Sequence, residues 1–344
     1  MLNINRLNIK LVKYLFIFLF SLFFLFAFSG CITTAATAEE YFELGMAFFE
    51  LGRFEDAERW LNRARQADRT YVASQYNLGR LAFERQRFEE AAAHFEGILR
   101  RDPDNVLALR ASAYTRIRMG DIDIARRHYA RLLELVPESA DDGYNHALVL
   151  FAMGLYEEAE FVLERHAFAL RDSRDMQLLF ARSQARQNKV EAIDSFANFL
   201  TNFPEPEARF EYAAVLEHHE FYSRALDELR LALTELTETT TAPTRNDINF
   251  AITRVLLIAD GESSQGITEL EALVAGGFNN IEAIEELTNH DKISAGNIEN
   301  LDRIIRNLRA AVPEETPQDT TPEDDDTDDM NWDWNLETYS EGSS

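Results

Sequence analysis

Cysteine, glycine and proline are scarce in this chain of 344 residues, which contains one cysteine, 14 glycines and 8 prolines. A single cysteine excludes a disulfide framework, a zinc site built from cysteines and an iron–sulfur cluster within one chain. So few glycines and prolines exclude an all-β protein with a turn every ten residues, and they favour long helices. Because the formal net charge is −26, nucleic acid is not expected as a partner.

Motifs typical of catalysis and of cofactor binding are also missing. No glycine-rich phosphate loop follows a strand pattern, and no serine lies in a nucleophile elbow. His218 and His219 are adjacent, so on a helix their rings point about 100° apart and cannot readily share a metal ion. The sequence therefore predicts no metal, no cofactor and no enzymatic activity.

The first thirty residues have the pattern of an export signal. Arg6, Lys10 and Lys13 precede an apolar run from Tyr14 to Phe28 that consists almost entirely of Leu, Phe and Ile. As a helix this run would span about 22 Å, which is short of the hydrocarbon core of about 30 Å. A basic start, a short apolar run and small residues at its end are typical of a secretory signal.

The lone cysteine follows this run, in the sequence Phe28-Ser29-Gly30-Cys31. These residues resemble the lipobox of bacterial lipoproteins, although the usual residue in place of Phe28 is leucine. In that family the cysteine thiol receives a diacylglycerol, the signal is cut before the cysteine, and the new N-terminus is usually acylated. Two or three acyl chains would anchor the protein stably to a membrane.

This resemblance implies a signal peptide over residues 1–30, lipid attachment at Cys31 and an anchor linker over residues 31–37. Ile32 follows the cysteine in place of the Asp that retains many such proteins at the inner membrane. It therefore favours the outer membrane of a bacterial envelope, with the chain facing the periplasm. An uncleaved signal anchor and ordinary secretion with a free thiol are the alternatives.

A period of 34 residues runs through the body of the chain. One series of small residues consists of Gly45, Gly79, Ala113, Ala147 and Ala181. A second series, which ends with a spacing of 33 residues, consists of Ala57, Ala91, Ala125, Ala159, Ala192 and Ala225. Four residues after each member of the second series lies a large side chain, in the order Leu61, Phe95, Tyr129, Leu163, Phe196 and Leu229.

The period predicts pairs of antiparallel helices. A small residue on each helix lets the two axes approach where they cross, and the large residue one turn later fills the groove beside the crossing. Residues that permit a left-handed turn lie between the two series, at Gly52, Gly120, Gly154 and Asn188. Prolines that stop the second helix follow at Pro103, Pro137 and Pro204.

The repeated unit resembles the tetratricopeptide repeat. In the first unit the residues that match the family pattern are Tyr41, Leu44, Gly45, Phe48, Ala57, Leu61 and Ala64. The match is specific over residues 38–204, weaker over 205–237, and least certain over a seventh unit at about 244–275. The resemblance implies an all-α, right-handed solenoid of about six to seven helix pairs over residues 38–275, in which neighbouring pairs stack into one core.

The composition changes twice after the repeats. Gly276 and Gly277 end the last repeat helix, and two further helices over residues 280–289 and 297–311 are expected to form a cap within residues 276–312. Residues 313–344 contain twelve acidic residues and neither lysine nor arginine. We expect this acidic tail to be disordered, because its charges repel and it has little to bury.

In the tetratricopeptide family, the concave groove is lined by the first helix of each pair. The resemblance therefore implies a partner-binding groove made of Phe42, Met46, Phe49, Tyr76, Asn77, Arg80, Phe83, Arg110, Tyr114, Tyr144 and Phe151. Some members bind chaperone tails through a clamp of Lys, Asn and Arg. Here Phe42, Met46 and Ala111 replace three residues of that clamp and only Asn77 fits, so a chaperone-tail adaptor is not expected.

Together these patterns predict a membrane-anchored periplasmic scaffold whose groove holds a protein or peptide partner. The alternative is a ligand-handling or transporter-associated subunit that holds a small apolar molecule in its groove or pore. The identity of the partner and the oligomeric state stay open. Trp332, Trp334 and Tyr339 in the acidic tail, together with an excess of arginine between Arg53 and Arg131, also raise the hypothesis that the tail binds its own groove.

Overall fold

The computed structural model describes residues 36–259 and 264–311. The described residues form α-helices joined by short turns and loops, and they contain no β-strand. This confirms the predicted all-α architecture of stacked helix pairs. The expected signal peptide, Cys31 and the acidic tail lie outside the described residues.

The chain divides into two compact units, the first ending at Phe221. In the described part of this unit twelve helices follow one another: α1 Ala38–Glu50, α2 Phe54–Ala67, α3 Val72–Glu84, α4 Phe88–Leu99, α5 Val106–Arg118, α6 Ile122–Leu135, α7 Ala140–Ala152, α8 Tyr156–Arg165, α9 Ala167–Asp172, α10 Arg174–Arg186, α11 Ala192–Asn202 and α12 Pro206–His218. The first helices α1, α3, α5, α7 and α10 pack against the second helix of their own repeat, and α3, α5, α7, α10 and α12 pack against the second helix of the preceding repeat.

The second compact unit begins at Tyr222. Its described helices are α13 Tyr222–Glu235, α14 Arg245–Ala259, α15 Gln265–Ala275, α16 Ile281–Thr288 and α17 Ala295–Ala311. The two helices expected after Gly277 are present as α16 and α17. They join α14 and α15 in one apolar core that includes Leu257, Leu270, Ile284, Leu287, Leu301 and Ile304.

The helix crossings lie where the 34-residue period predicts them. A Cβ atom placed on Gly45 would lie 2.8 Å from Cγ of Leu61, and one placed on Gly79 would lie 2.6 Å from Cε1 of Phe95. All six alanines of the second series are fully buried, as are the six large side chains that follow them. At the first two crossings the small residue therefore faces the large one, as the ridges-into-grooves argument requires, and the later alanines and large side chains are buried at the corresponding positions.

The turn between the two helices of a pair is left-handed in each of the first six repeats. Gly52, Gly120, Gly154 and Asn188 have φ angles of 55° to 78°, as expected from their residue types. In the second and sixth repeats, Gln86 and Glu220 occupy the same turn with φ angles of 57° and 64°. These two positions carry no glycine or asparagine, so the sequence contains no signal for them.

The fourth repeat departs from the others after its second helix. No proline follows α8, because Arg171 stands at the place that Pro137 has in the preceding repeat. The chain instead turns at His166 and forms the short helix α9. His166 is buried against Gly143, on which a Cβ atom would lie 2.4 Å from the imidazole Nε2. This extra helix was not expected from the sequence.

At the crossing of α3 and α4, replacing glycine by alanine is expected to destabilise the protein, which is the reverse of its usual effect in a helix. Replacing glycine by alanine in a helix ordinarily gains about 1 kcal/mol. We expect Gly79→Ala instead to lower the free energy of unfolding by about 1–3 kcal/mol, because the new methyl group overlaps the Phe95 ring. Urea denaturation of the purified protein measures the change.

Gly296 in α17 is the matched control, since a Cβ atom there would meet no other atom within 4 Å. Gly296→Ala should therefore stabilise its own unit by about 0.5–1 kcal/mol. Combining Gly79→Ala with Phe95→Leu should recover part of the loss. Stabilisation by Gly79→Ala alone would show that the two helices do not cross at this residue.

Candidate binding groove

The predicted groove residues lie on the first helices of the first four repeats. α1 carries Phe42, Met46 and Phe49, α3 carries Tyr76, Asn77, Arg80 and Phe83, α5 carries Arg110 and Tyr114, and α7 carries Tyr144 and Phe151. Asn77 and Tyr114 are buried, and the other nine are partly exposed. Side-chain contacts connect the residues of α1, α3 and α5 into one surface, which we call the groove.

Aromatic rings make up most of these contacts. The rings of Phe83 on α3 and Tyr114 on α5 lie 5.0 Å apart between centroids. Phe83 also contacts Phe88, and Phe42 packs edge-on against Tyr71 at the start of α3. Because Phe42 and Phe83 each touch a neighbouring ring on one side and stay partly exposed on the other, the rings form a supported apolar floor that another chain can cover.

Arg80 lies among these rings. Its guanidinium is 5.3 Å from the centroid of Phe49, within the range of a cation–π contact. Its Nη1 atom donates a hydrogen bond of 3.1 Å to Oδ1 of Asn77, whose amide nitrogen in turn donates to the carbonyl oxygen of Ala73. The one residue that fits the chaperone-tail clamp, Asn77, is therefore engaged within its own helix and with Arg80.

Arg110 is held by a buried carboxylate. Its Nε and Nη2 atoms donate to the two carboxylate oxygens of Asp142 at 2.7 and 2.6 Å. Asp142 lies on α7 and its side chain is fully buried, while 13% of the Arg110 side chain is exposed. A paired, desolvated guanidinium of this kind fixes the register of α5 against α7. The sequence did not single out Asp142.

Two further ion pairs continue along the first helices. Nε and Nη2 of Arg182 on α10 donate to Glu211 on α12 at 2.8 and 2.6 Å. Arg174 on α10 pairs with Glu205, immediately before α12. Tyr144 on α7 lies near this cluster, and burial raises the pKa of its hydroxyl to about 12. These pairs were not predicted from the sequence, although Arg182 is three periods of 34 residues after Arg80.

Two histidines on α6 and α7 are held neutral. Burial lowers the pKa of His128 to about 4, helped by Arg116 and Arg127. Burial also lowers the pKa of His146 to about 4, and Arg126 adds to the effect. Each folded-state pKa is below that of the free imidazole. Both histidines therefore lower the free energy of unfolding as the pH falls from about 6.5 to 4.

Two other kinds of feature are absent from the described residues. They contain no cluster of three or more His, Cys, Asp or Glu side chains that could hold a metal ion. No helix among them is both long enough and apolar enough to cross a membrane. In the second unit, α13, α14 and α15 line a cleft of about 470 Å³ whose polar residues include Arg230, Asn246, Asn249 and Glu269.

Comparison with known proteins gives matches over the repeats. Two family models of the tetratricopeptide repeat match residues 42–106 and 82–143. A Treponema pallidum protein named as an uncharacterized lipoprotein is 26% identical over 162 residues, which make up 47% of this chain and 83% of that protein.

Solved structures of tetratricopeptide repeat proteins are also similar to this chain. A tetratricopeptide repeat protein from Parabacteroides merdae is 19% identical, covers 77% of this chain and 98% of its own, and superposes with a TM-score of 0.50. YrrB, described as a tetratricopeptide repeat protein with an unusual peptide-binding site, is 18% identical with a TM-score of 0.48, over 52% of this chain and 93% of its own.

The pair formed by Arg110 and Asp142 can be tested by a double-mutant cycle. Each single change, Arg110→Met or Asp142→Leu, should cost about 3–5 kcal/mol of unfolding free energy, because it leaves a largely buried charge without its partner. The double variant Arg110→Met with Asp142→Leu should lose less than half as much, since no buried charge remains. Urea denaturation of the four proteins measures the coupling. Additive losses from the two single changes would contradict the assignment of this pair as a register contact.

Proposed function

This chain is a tetratricopeptide repeat protein, and we propose that it is a membrane-anchored scaffold that binds a protein or peptide partner in the groove of its first repeats. Proteins of this fold are in general scaffolds rather than enzymes. The observation that carries the proposal is the row of partly exposed aromatic rings on α1, α3 and α7, which the buried ring of Tyr114 on α5 supports. Aromatic and arginine side chains in supported, partly desolvated positions contribute most of the binding energy at protein interfaces.

The geometry of the groove indicates what kind of partner it takes. The rings of Phe42, Phe49 and Phe83 offer apolar contact area, and Arg80 places one positive charge between them. An extended segment with apolar side chains and a carboxylate would match this surface. Polar and charged side chains lie along the cleft of the second unit, so this cleft adds no support for the alternative of a bound small apolar molecule.

We further propose that the scaffold is a lipoprotein held at a bacterial envelope membrane through Cys31, facing the periplasm, with the outer membrane favoured. Two observations support this: the lipobox-like residues 28–31, and the naming of the Treponema pallidum relative as a lipoprotein. The described repeats begin only a few residues after Cys31, at Ala38. A lipid anchor at that cysteine would therefore keep the groove close to the membrane surface.

The anchor is tested by labelling cells with palmitate. The wild-type protein should incorporate the label and sediment with membranes, whereas Cys31→Ala should lose the label. Cys31→Ser is the conservative companion, because it keeps the size of the side chain and removes the thiol. Equal labelling of wild type and both variants would contradict the lipoprotein proposal.

The groove is tested by capturing partners from crosslinked envelopes. The combined change Phe49→Ala and Phe83→Ala should reduce capture of the specific partner at least tenfold, because two aromatic anchors are lost. The matched control combines Phe161→Ala and Phe168→Ala, which remove two rings that are 60% and 78% exposed on α8 and α9. Equal capture by both double variants would contradict the proposed binding surface, and thermal melts check that both remain folded.

A further inference from the structure

The first described helix, α1, presents apolar side chains on the side where a preceding repeat would pack. Leu44, the seventh residue of α1, is 39% exposed, and Leu51, directly after α1, is 71% exposed. The seventh residues of α3 and α12 are Leu78 and Tyr212, and both are buried. Each of these two helices has the second helix of the preceding repeat beside it. Because the terminal repeats of solenoids ordinarily carry a polar outer face, this apolar end requires a cover.

The exposed apolar residues of α1 form one stripe. Tyr41, Leu44, Phe48 and Leu51 recur every three or four residues, so they lie on the same side of the helix over a length of about 15 Å. Trp60 on α2 widens the stripe, because its ring stacks on that of Tyr41 with 5.9 Å between centroids. We call these five side chains the end face.

Two arginines flank the end face. The guanidinium of Arg63 lies 4.4 Å from the centroid of the Trp60 ring, and that of Arg53 lies 4.6 Å from the centroid of Phe48. Arg53 also pairs with Asp56, whereas Arg63 forms no ion pair within the described part of the chain. Tryptophan and tyrosine rings beside arginines are typical of residues at a membrane–water interface, where the ring meets the acyl boundary and the charge stays among the headgroups.

The carboxylates of α1 leave this stripe apolar. Glu39, Glu43 and Glu50 lie on the other side of the helix, as their spacing from the stripe requires. Glu40 is closer to the stripe, but its carboxylate accepts a hydrogen bond of 2.7 Å from the backbone N–H of Thr37. The end face therefore offers hydrophobic and aromatic contact without a carboxylate in its middle.

The position of α1 in the chain indicates which surface covers the end face. Cys31 precedes Ala38 by seven residues, which span at most about 25 Å. A lipid on that cysteine would hold α1 within this distance of the membrane. An interface between two protein copies ordinarily covers about 800 Å² on each, which is more than one stripe on a single helix offers. A lipid contact only has to add to an anchor that already holds the chain.

We infer that the end face lies in the interfacial layer of the membrane beside the lipid anchor, with α1 parallel to the membrane plane. The inference rests on the proposed function, because it assigns a second membrane contact to the anchored scaffold. The groove residues Phe42, Met46 and Phe49 lie on a different side of α1. The groove therefore remains accessible from the aqueous side, and both surfaces can be occupied at once.

The test uses Trp60 as a reporter in the lipidated full chain, reconstituted in phosphatidylcholine vesicles. Trp332→Phe with Trp334→Phe serves as the background, so that Trp60 is the remaining tryptophan. Lipids brominated near the headgroup end of the acyl chain should lower the Trp60 fluorescence about twofold relative to unbrominated lipids, because the bromine atoms contact the ring. Leu44→Glu with Leu51→Glu should abolish this quenching, while the protein still sediments with the vesicles through its anchor.

The matched control is Leu107→Glu with Val190→Glu, which places two carboxylates at comparably exposed apolar positions on α5 and before α11. It should leave the quenching unchanged. Equal Trp60 fluorescence in brominated and unbrominated vesicles would overturn the inference, and so would full quenching in Leu44→Glu with Leu51→Glu. If Trp60 is not quenched and that variant converts a dimer into a monomer, a second copy covers the end face and the inference is wrong.

The palmitate label and the capture of partners separate this inference from the proposed function. If the protein carries lipid and sediments with vesicles but Trp60 is not quenched, the inference fails and the anchor stands. If Trp60 is quenched in a chain without lipid, the end face binds the membrane and the lipoprotein proposal fails. Absence of both lipid and quenching would overturn both. Leu44→Glu with Leu51→Glu should still capture the groove partner, whereas Phe49→Ala with Phe83→Ala should still show quenching.

Discussion

The contact of a small residue on one helix with a large side chain on the next determines the rest of this structure. Gly45 against Leu61 and Gly79 against Phe95 bring paired helices so close that an added methyl group would overlap the partner. Buried alanines repeat the arrangement at the later crossings. Because a close-packed interior tolerates little change in volume, these contacts determine which face of each first helix packs inward and which face stays accessible.

The groove is a consequence of that arrangement. Because the small residues direct one face of α1, α3, α5 and α7 towards the core, the residues on the adjoining face lie at matching positions in successive repeats. Aromatic contacts such as that between Phe83 and Tyr114 then connect successive helices. The buried pair of Arg110 and Asp142 adds a directional contact that aromatic packing alone lacks. Apolar packing and a few ion pairs together hold the surface in one register.

Much of the fold could be predicted because its signal is periodic. A helix crossing needs a small residue, the turn within a pair needs a residue that adopts a left-handed backbone conformation, and the end of the second helix is marked by a proline. Each requirement therefore places the same residue type at the same position of successive repeats. Where one residue type can be replaced without penalty, the signal disappears. Gln86 and Glu220 adopt the left-handed turn without glycine or asparagine, and the missing proline after α8 hides the short helix α9.

The candidate site could be predicted only in part, because pairing between charged residues depends on distances that the sequence does not contain. Arg80 and Arg110 look alike as arginines on first helices. The structure distinguishes them, since Arg110 has the buried carboxylate of Asp142 and Arg80 has a phenylalanine ring and an asparagine.

The most direct measurement of the central claim, that the inner face of the first helices is the binding surface, is site-specific photo-crosslinking in cells. Benzoylphenylalanine at position 83 lies in the groove, and the same group at position 161 lies on an exposed part of α8. Mass spectrometry should identify adducts to a partner from position 83 and none from position 161. Adducts from position 161 alone would contradict the account.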